Sequence, residues 1–111
     1  MDQNAPRPHA IDTLFEVIQA RKGADPETSY TAKLFAKGRK KIAQKVGEEA
    51  VETALAAVAE GPAGVASESA DLLYHLLVLW AETGVAPDDV WAELNRRAGV
   101  SGIEEKNSRK K

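Results

Sequence analysis

The run 72–81, Leu72-Leu73-Tyr74-His75-Leu76-Leu77-Val78-Leu79-Trp80-Ala81, limits what this chain can fold into more than any other stretch. At about 100° per residue its apolar side chains cover nearly the whole circumference of a helix. Leu72, Leu76 and Leu79 fall on one side, and Leu73, Leu77 and Trp80 on another. A helix apolar all round must be buried on more than one side. The run is too short to span a bilayer and is interrupted by Tyr74 and His75, so other helices must supply the cover.

The neighbouring segments read as helices too. Ile11, Leu14, Phe15 and Ile18 stand at helical spacing and predict a first helix over 11–22, with Gly23 as its stop. Thr13 and Glu16 offer an alternative capping box that would start it slightly later. Residues 23–31 carry turn residues and hydroxyls without a sustained period and predict a loop. A short helical turn over 31–36 precedes Gly38. A long helix follows over 39–60, rich in Ala, Glu, Lys and Val and stopped by Gly61-Pro62. The apolar run sits in a third helix over 63–83, and Pro87 with Asp88 and Asp89 opens a fourth that presents Val90, Trp91, Leu94 and Ala98 before Gly99. No repeat, low-complexity tract or strand pair stands out.

The expectation is an all-α chain of four helices forming a bundle: a flexible lead at 1–10, the helical domain at 11–99 and a charged tail at 100–111. With 111 residues, a single core is feasible but not generous. Four helices do not easily enclose the third one, so a homodimer centred on that helix is the economical cover. The formal net charge of −2 gives nothing global to recruit nucleic acid or anionic membrane. With no cysteine, a disulfide framework, thiolate zinc and thiol catalysis are excluded, which is compatible with the cytosol. The first eight residues contain no apolar signal-peptide core.

The densest chemistry lies in Lys41-Ile42-Ala43-Gln44-Lys45-Val46-Gly47-Glu48-Glu49-Ala50-Val51-Glu52 and Glu68-Ser69-Ala70-Asp71. Ile42, Val46, Thr53 and Ala57 share a helical face, and Glu49 falls near its middle, where a core leucine would be expected. Glu52, Lys45, Lys41 and Glu48 line one flank, and Glu68 and Asp71 meet three residues apart on another helix. Several carboxylates aimed into a bundle repel one another and lose hydration, so something positive belongs among them. Oxygen-only ligands favour a hard cation, and a few acids beside lysines suit Mg²⁺ with a phosphate-bearing substrate. Against this stands the plainer reading that Glu48, Glu49 and Glu52 make ordinary surface pairs with Lys41 and Lys45. Two spaced acidic pairs on adjacent helices weigh against it. The basic run Lys33, Lys37, Arg39, Lys40, Lys41 and Lys45 reads either as a solvated face or as a phosphate site. His75 reads as a core or supporting histidine sooner than a substrate contact, and Trp80 and Trp91 as packing.

Three strings carry a family resemblance: Ser29-Tyr30-Thr31-Ala32-Lys33-Leu34-Phe35, the run 41–52, and the run 68–79. They resemble the phosphoribosyl-ATP pyrophosphatase family of histidine biosynthesis, within the all-α MazG-like nucleotide pyrophosphohydrolases. The superfamily's Glu-x-x-Glu and Glu-x-x-Asp are present as Glu49-x-x-Glu52 and Glu68-x-x-Asp71. That signature alone is loose; the Lys-Val-Gly-Glu-Glu and Ser-Tyr-Thr strings are much more specific, and the likeness covers 13–97. Ser101 to Lys106 looks like an ending of some stand-alone members.

The resemblance implies Mg²⁺-dependent cleavage of phosphoribosyl-ATP to phosphoribosyl-AMP and pyrophosphate in the cytoplasm. Glu49, Glu52, Glu68 and Asp71 would hold the metal. Water would be the nucleophile, with Glu48, or whichever acid stays uncoordinated, orienting it or taking its proton. Lys41 and Lys45, then Lys33, Lys37 and Arg39, would bind phosphate oxygens, and Ser29, Tyr30 and Thr31 would close over the ligand. It also implies a homodimer, since family members pair their helices into dimeric bundles. Two other readings remain: a pyrophosphohydrolase of other nucleoside triphosphates, and a non-catalytic helical dimerisation module.

Overall fold

The structure, a computed structural model, describes residues 9–98. The expected tail at 100–111, and the expected lead apart from its last two residues, lie outside the described residues. Five α-helices follow one another: α1 Ala10–Ala20, α2 Tyr30–Lys37, α3 Arg39–Ala59, α4 Pro62–Thr83 and α5 Pro87–Ala98. No strand occurs among the described residues. The chain is therefore all-α, with one helix more than expected.

The extra helix is α2, for which the sequence predicts only a turn. Ser29 caps it: its Oγ accepts from the Ala32 N–H at 3.1 Å, which satisfies one of the donors left open at a helix start. Eight residues are marginal as an isolated helix. Packing stabilises this one, since Thr31, Ala32 and Leu34 are buried where α2 meets α3 and α4. Gly38 joins α2 to α3 at φ 95°, a conformation that L side chains rarely adopt.

At α1 the cap is His9, whose Nδ1 accepts from the Ile11 N–H at 3.0 Å, so the Thr13/Glu16 capping box is not the start. The helix closes two residues earlier than expected, at Ala20. Gly61-Pro62 stops α3 and opens α4, with the proline at the first helical position, where its missing N–H costs nothing. At α5 the Asp89 carboxylate accepts from the Ala86 N–H at 2.8 Å.

The long hairpin of α3 and α4 is the frame, with α1 and α2 laid against it. Phe15, Ile18, Leu34, Ile42, Leu77, Val78 and Ala81 form the core, and Ile11, Leu14, Phe35, Tyr74, Leu79 and Trp80 pack at its edge. Trp80 meets Trp91 edge to face at 6.2 Å, which docks α5 by packing. The apolar α4 is thus largely covered within one chain, and among its leucines Leu73 is the exposed one. A more open apolar stripe lies on α3, where Val51, Leu55 and Val58 stand exposed at spacings of four and three, Val58 at 87%.

Candidate active site

The inner face of α3 carries Ile42, Glu49 and Ala56 at seven-residue intervals, and all three are buried. Seven residues are two turns of helix, so the acid occupies a core position between two apolar ones. Glu49 is only 8% exposed. The expected end of this face at Ala57 is corrected to Ala56, because Ala57 is exposed.

Antiparallel packing of α4 brings Glu68 and Asp71 opposite Glu49. One carboxylate oxygen from each of the three lies within 4.8 Å of the others, the one such grouping of potential metal ligands among the described residues. Glu52, one turn on from Glu49, borders the group. Hydrogen bonding to Glu49, and then its negative charge, hold the Glu52 carboxyl above its ordinary value, with burial and Glu68 adding to the shift. At Glu68 burial acts first, followed by the hydrogen bond and charge of Asp71, again upward. The closeness of other acids dominates the shift at Glu52 and adds to burial at Glu68.

The nearest cation is Lys45, with Nζ 3.8 Å from Glu49 Oε1 and 3.6 Å from Glu48 Oε1. Burial disfavours its charge, but the Tyr30 phenol, Glu48 and Glu49 outweigh burial and raise the Lys45 pKa. Glu48 stands exposed on the other side of Lys45: Gln44 donates to its Oε2 at 2.8 Å, and that bond, with Lys45, keeps the carboxyl below its ordinary value. One lysine faces an all-oxygen donor set that the chain alone leaves negatively charged, and that set fits a hard divalent cation.

The other expected residues divide. Ser29 caps α2; Thr31 is hydrogen-bonded to Tyr74, and the Tyr30 hydroxyl lies 3.2 Å from His75 Nε2. Arg39 is engaged with the far end of α4, its Nε 3.5 Å from Glu82 Oε2 and its guanidinium also donating to the Glu82 carbonyl. Lys33 and Lys37 lie exposed on α2, and Lys41 is half-buried on α3. The structure therefore brings Tyr30, Lys45, Glu48, Glu49, Glu52, Glu68 and Asp71 together and draws Arg39 to a different partner. Sequence reasoning left Tyr74 out and gave His75 only a supporting place. The available signal was the pair of adjacent polar aromatics, Tyr74-His75, one turn beyond Asp71.

Comparison with known proteins bears on the same residues. A relative from Rhodospirillum rubrum, named phosphoribosyl-ATP pyrophosphatase, is 64% identical over 106 residues, 96% of this chain and 91% of its own length. Relatives of the same name from Azospirillum brasilense and Paramagnetospirillum magneticum are 66% identical over 100 residues and 65% over 101. They cover 90% and 91% of this chain, and the chain covers 90% and 93% of them. The family match runs over residues 11–98, from the start of α1 to the end of α5 and across every acid of the cluster, and the chain belongs to the phosphoribosyl-ATP pyrophosphohydrolase family, a family of hydrolases.

Proposed function

We propose that this chain hydrolyses phosphoribosyl-ATP to phosphoribosyl-AMP and pyrophosphate, a step of histidine biosynthesis in the cytoplasm, at the cluster between α3 and α4. The observation that carries this reading is a buried Glu49 converging with Glu68 and Asp71 within 4.8 Å. Glu49, Glu68 and Asp71, with Glu52 at their border, would hold Mg²⁺. When bound, Mg²⁺ supplies Lewis-acid polarisation of the phosphoryl oxygens and offsets charge on the pyrophosphate leaving group.

The chain's own groups do the rest. Lys45 keeps its positive charge beside the acids and meets phosphate oxygens as a compact point charge. Lys41, half-buried one turn earlier on α3, extends that positive edge. Glu48, held ionised by Gln44 and Lys45, accepts a hydrogen bond from the attacking water and orients it. The hydrogen bonds of Tyr30 and Thr31 to α4 fix the start of α2 beside the cluster.

The same reading includes a homodimer, seated on α3. Val51, Leu55 and Val58 form an exposed stripe, and Gly47 and Ala54 lie on its line. A Cβ added at Gly47 would meet nothing within 4 Å. Glycine in a helix interior costs about 1 kcal/mol against alanine, and nothing within one chain uses the room it leaves. A second copy approaching closely would use it.

The test of the site is Glu49→Gln and Asp71→Asn, which remove ligand charge and keep volume. Each is expected to lower pyrophosphate release by more than about a hundredfold, the scale of losing one preorganised electrostatic group, with the helical circular dichroism intact. Turnover retained in both variants at millimolar Mg²⁺ would sink the assignment.

A further inference from the structure

Two consecutive residues at the start of α2 are tied to two consecutive residues of α4. Thr31 is hydrogen-bonded to Tyr74, and Tyr30 to His75. His75 is 6% exposed, and its Nδ1 lies 2.8 Å from the Asp71 carbonyl oxygen. A carbonyl can only accept, so Nδ1 carries the proton. In the neutral ring Nε2 is then bare, and the Tyr30 hydroxyl donates to it.

The rings also pack on one another. Tyr30 stacks beside Tyr74 at 6.2 Å and 23° and meets the His75 ring edge to face at 6.0 Å, and the Tyr74 and His75 rings meet edge to face at 5.0 Å. Despite these constraints Tyr30 is 52% exposed. The result is an aromatic ring fixed by a hydrogen bond and two ring contacts, with much of its surface open. It stands beside the cluster, since its hydroxyl bonds His75 and His75 in turn bonds the backbone of Asp71, one of the three converging acids. A nucleotide whose phosphates meet Lys45 and a cation held by the acids must extend its sugar and base beyond them. A half-open ring already held in place can stack on a flat ligand ring without first being ordered.

We infer that Tyr30 is a specificity-determining platform on which the purine ring of the substrate stacks, and that His75 is the positioning residue that sets the platform through the Tyr30 hydroxyl. This rests on reading the acids as a pyrophosphohydrolase centre. Phosphate recognition belongs to the lysines; ring recognition belongs to Tyr30.

Steady-state kinetics with phosphoribosyl-ATP on Tyr30→Leu, Tyr30→Phe, His75→Phe and His75→Gln test it. Tyr30→Leu removes the ring and is expected to raise KM by about tenfold or more, the range of base–aromatic stacking. Tyr30→Phe and His75→Phe should each raise KM by a smaller, equal factor, with the change falling on KM sooner than kcat. Their double variant should be no worse than either single one, because both break the same bond. His75→Gln, which retains an acceptor for Tyr30, should restore KM. Inhibition by inorganic tripolyphosphate, which has no ring, should be the same in wild type and Tyr30→Leu. Losses that multiply in the double variant, or a His75→Phe protein that melts earlier with unchanged KM, would reduce His75 to a structural role and overturn its part. Tripolyphosphate inhibition weakened as much as substrate binding would overturn stacking. A wild-type chain that releases no pyrophosphate from phosphoribosyl-ATP would instead overturn the underlying reading of the acids.

Discussion

At Glu49 a carboxylate stands where packing calls for an aliphatic side chain, between the buried Ile42 and Ala56. Burying a charge without a full partner is costly, and Lys45 at 3.8 Å is shared with Glu48. The cost appears at the neighbours, where Glu52 and Glu68 hold their protons more tightly than usual. An acid with a raised folded-state pKa binds more protons folded than unfolded, so stability falls as pH rises from the unfolded value of 4.5 through the folded one. Glu48 and Glu93 run the other way: Gln44 and Lys45 lower the first, and Arg96 and Arg97 lower the second to about 2. Their contribution is complete above 4.5 and lost as pH falls. In metal-free protein these two carboxyls, Glu52 and Glu68, should therefore lower Tm as pH rises above their unfolded value of 4.5, and Glu52→Gln with Glu68→Gln should flatten that fall. A Tm that rises steadily from pH 5 to 7 without divalent metal would contradict the sign. The placing of Glu49 on an apolar face was legible from the period of α3 alone. Its convergence with Glu68 and Asp71 needed the hairpin register, which no spacing within one helix carries.

Among the elements, α4 joins the core to the site: Asp71 and His75 face the chemistry, and Leu77, Val78 and Ala81 hold the bundle two turns on. Leu77 is fully buried, so Leu77→Ala should cost about 2–5 kcal/mol in urea unfolding, the transfer loss plus the cavity. A cost below 1 kcal/mol would mean that the core is not centred there. The long helices were readable because Gly23, Gly61-Pro62 and Pro87 punctuate them. By contrast α2 is too short for its period to register, and its cap, Ser29, looked like one hydroxyl among several in a loop. The Tyr30–His75 and Thr31–Tyr74 ties were not legible for the same reason: residues more than 40 apart in sequence meet only through tertiary packing.

For the whole molecule, the sequence placed the surplus apolar surface on the helix that is α4, whereas in one chain most of the exposed large apolar side chains of the long hairpin lie on α3. Counting apolar residues around α4 takes no account of how much of it α1, α2 and α3 cover; α4 leaves Leu73 open, and the longer open stripe is on α3. A dimer seated there predicts that Leu55→Glu paired with Val58→Glu gives a species with the mass of one chain in light scattering at micromolar concentration, while wild type has twice that mass. A wild-type protein that is monomeric, folded and active would refute the dimer. The central claim is that the acids between α3 and α4 act on phosphoribosyl-ATP, and competition measures it most directly. Pyrophosphate release is followed with phosphoribosyl-ATP and ATP present together, with Mg²⁺ and then with excess chelator. The predicted result is release from phosphoribosyl-ATP at least about a hundredfold favoured in kcat/KM, a discrimination of about 2.7 kcal/mol, and lost on chelation. Equal use of ATP, or release that survives chelation, would contradict it.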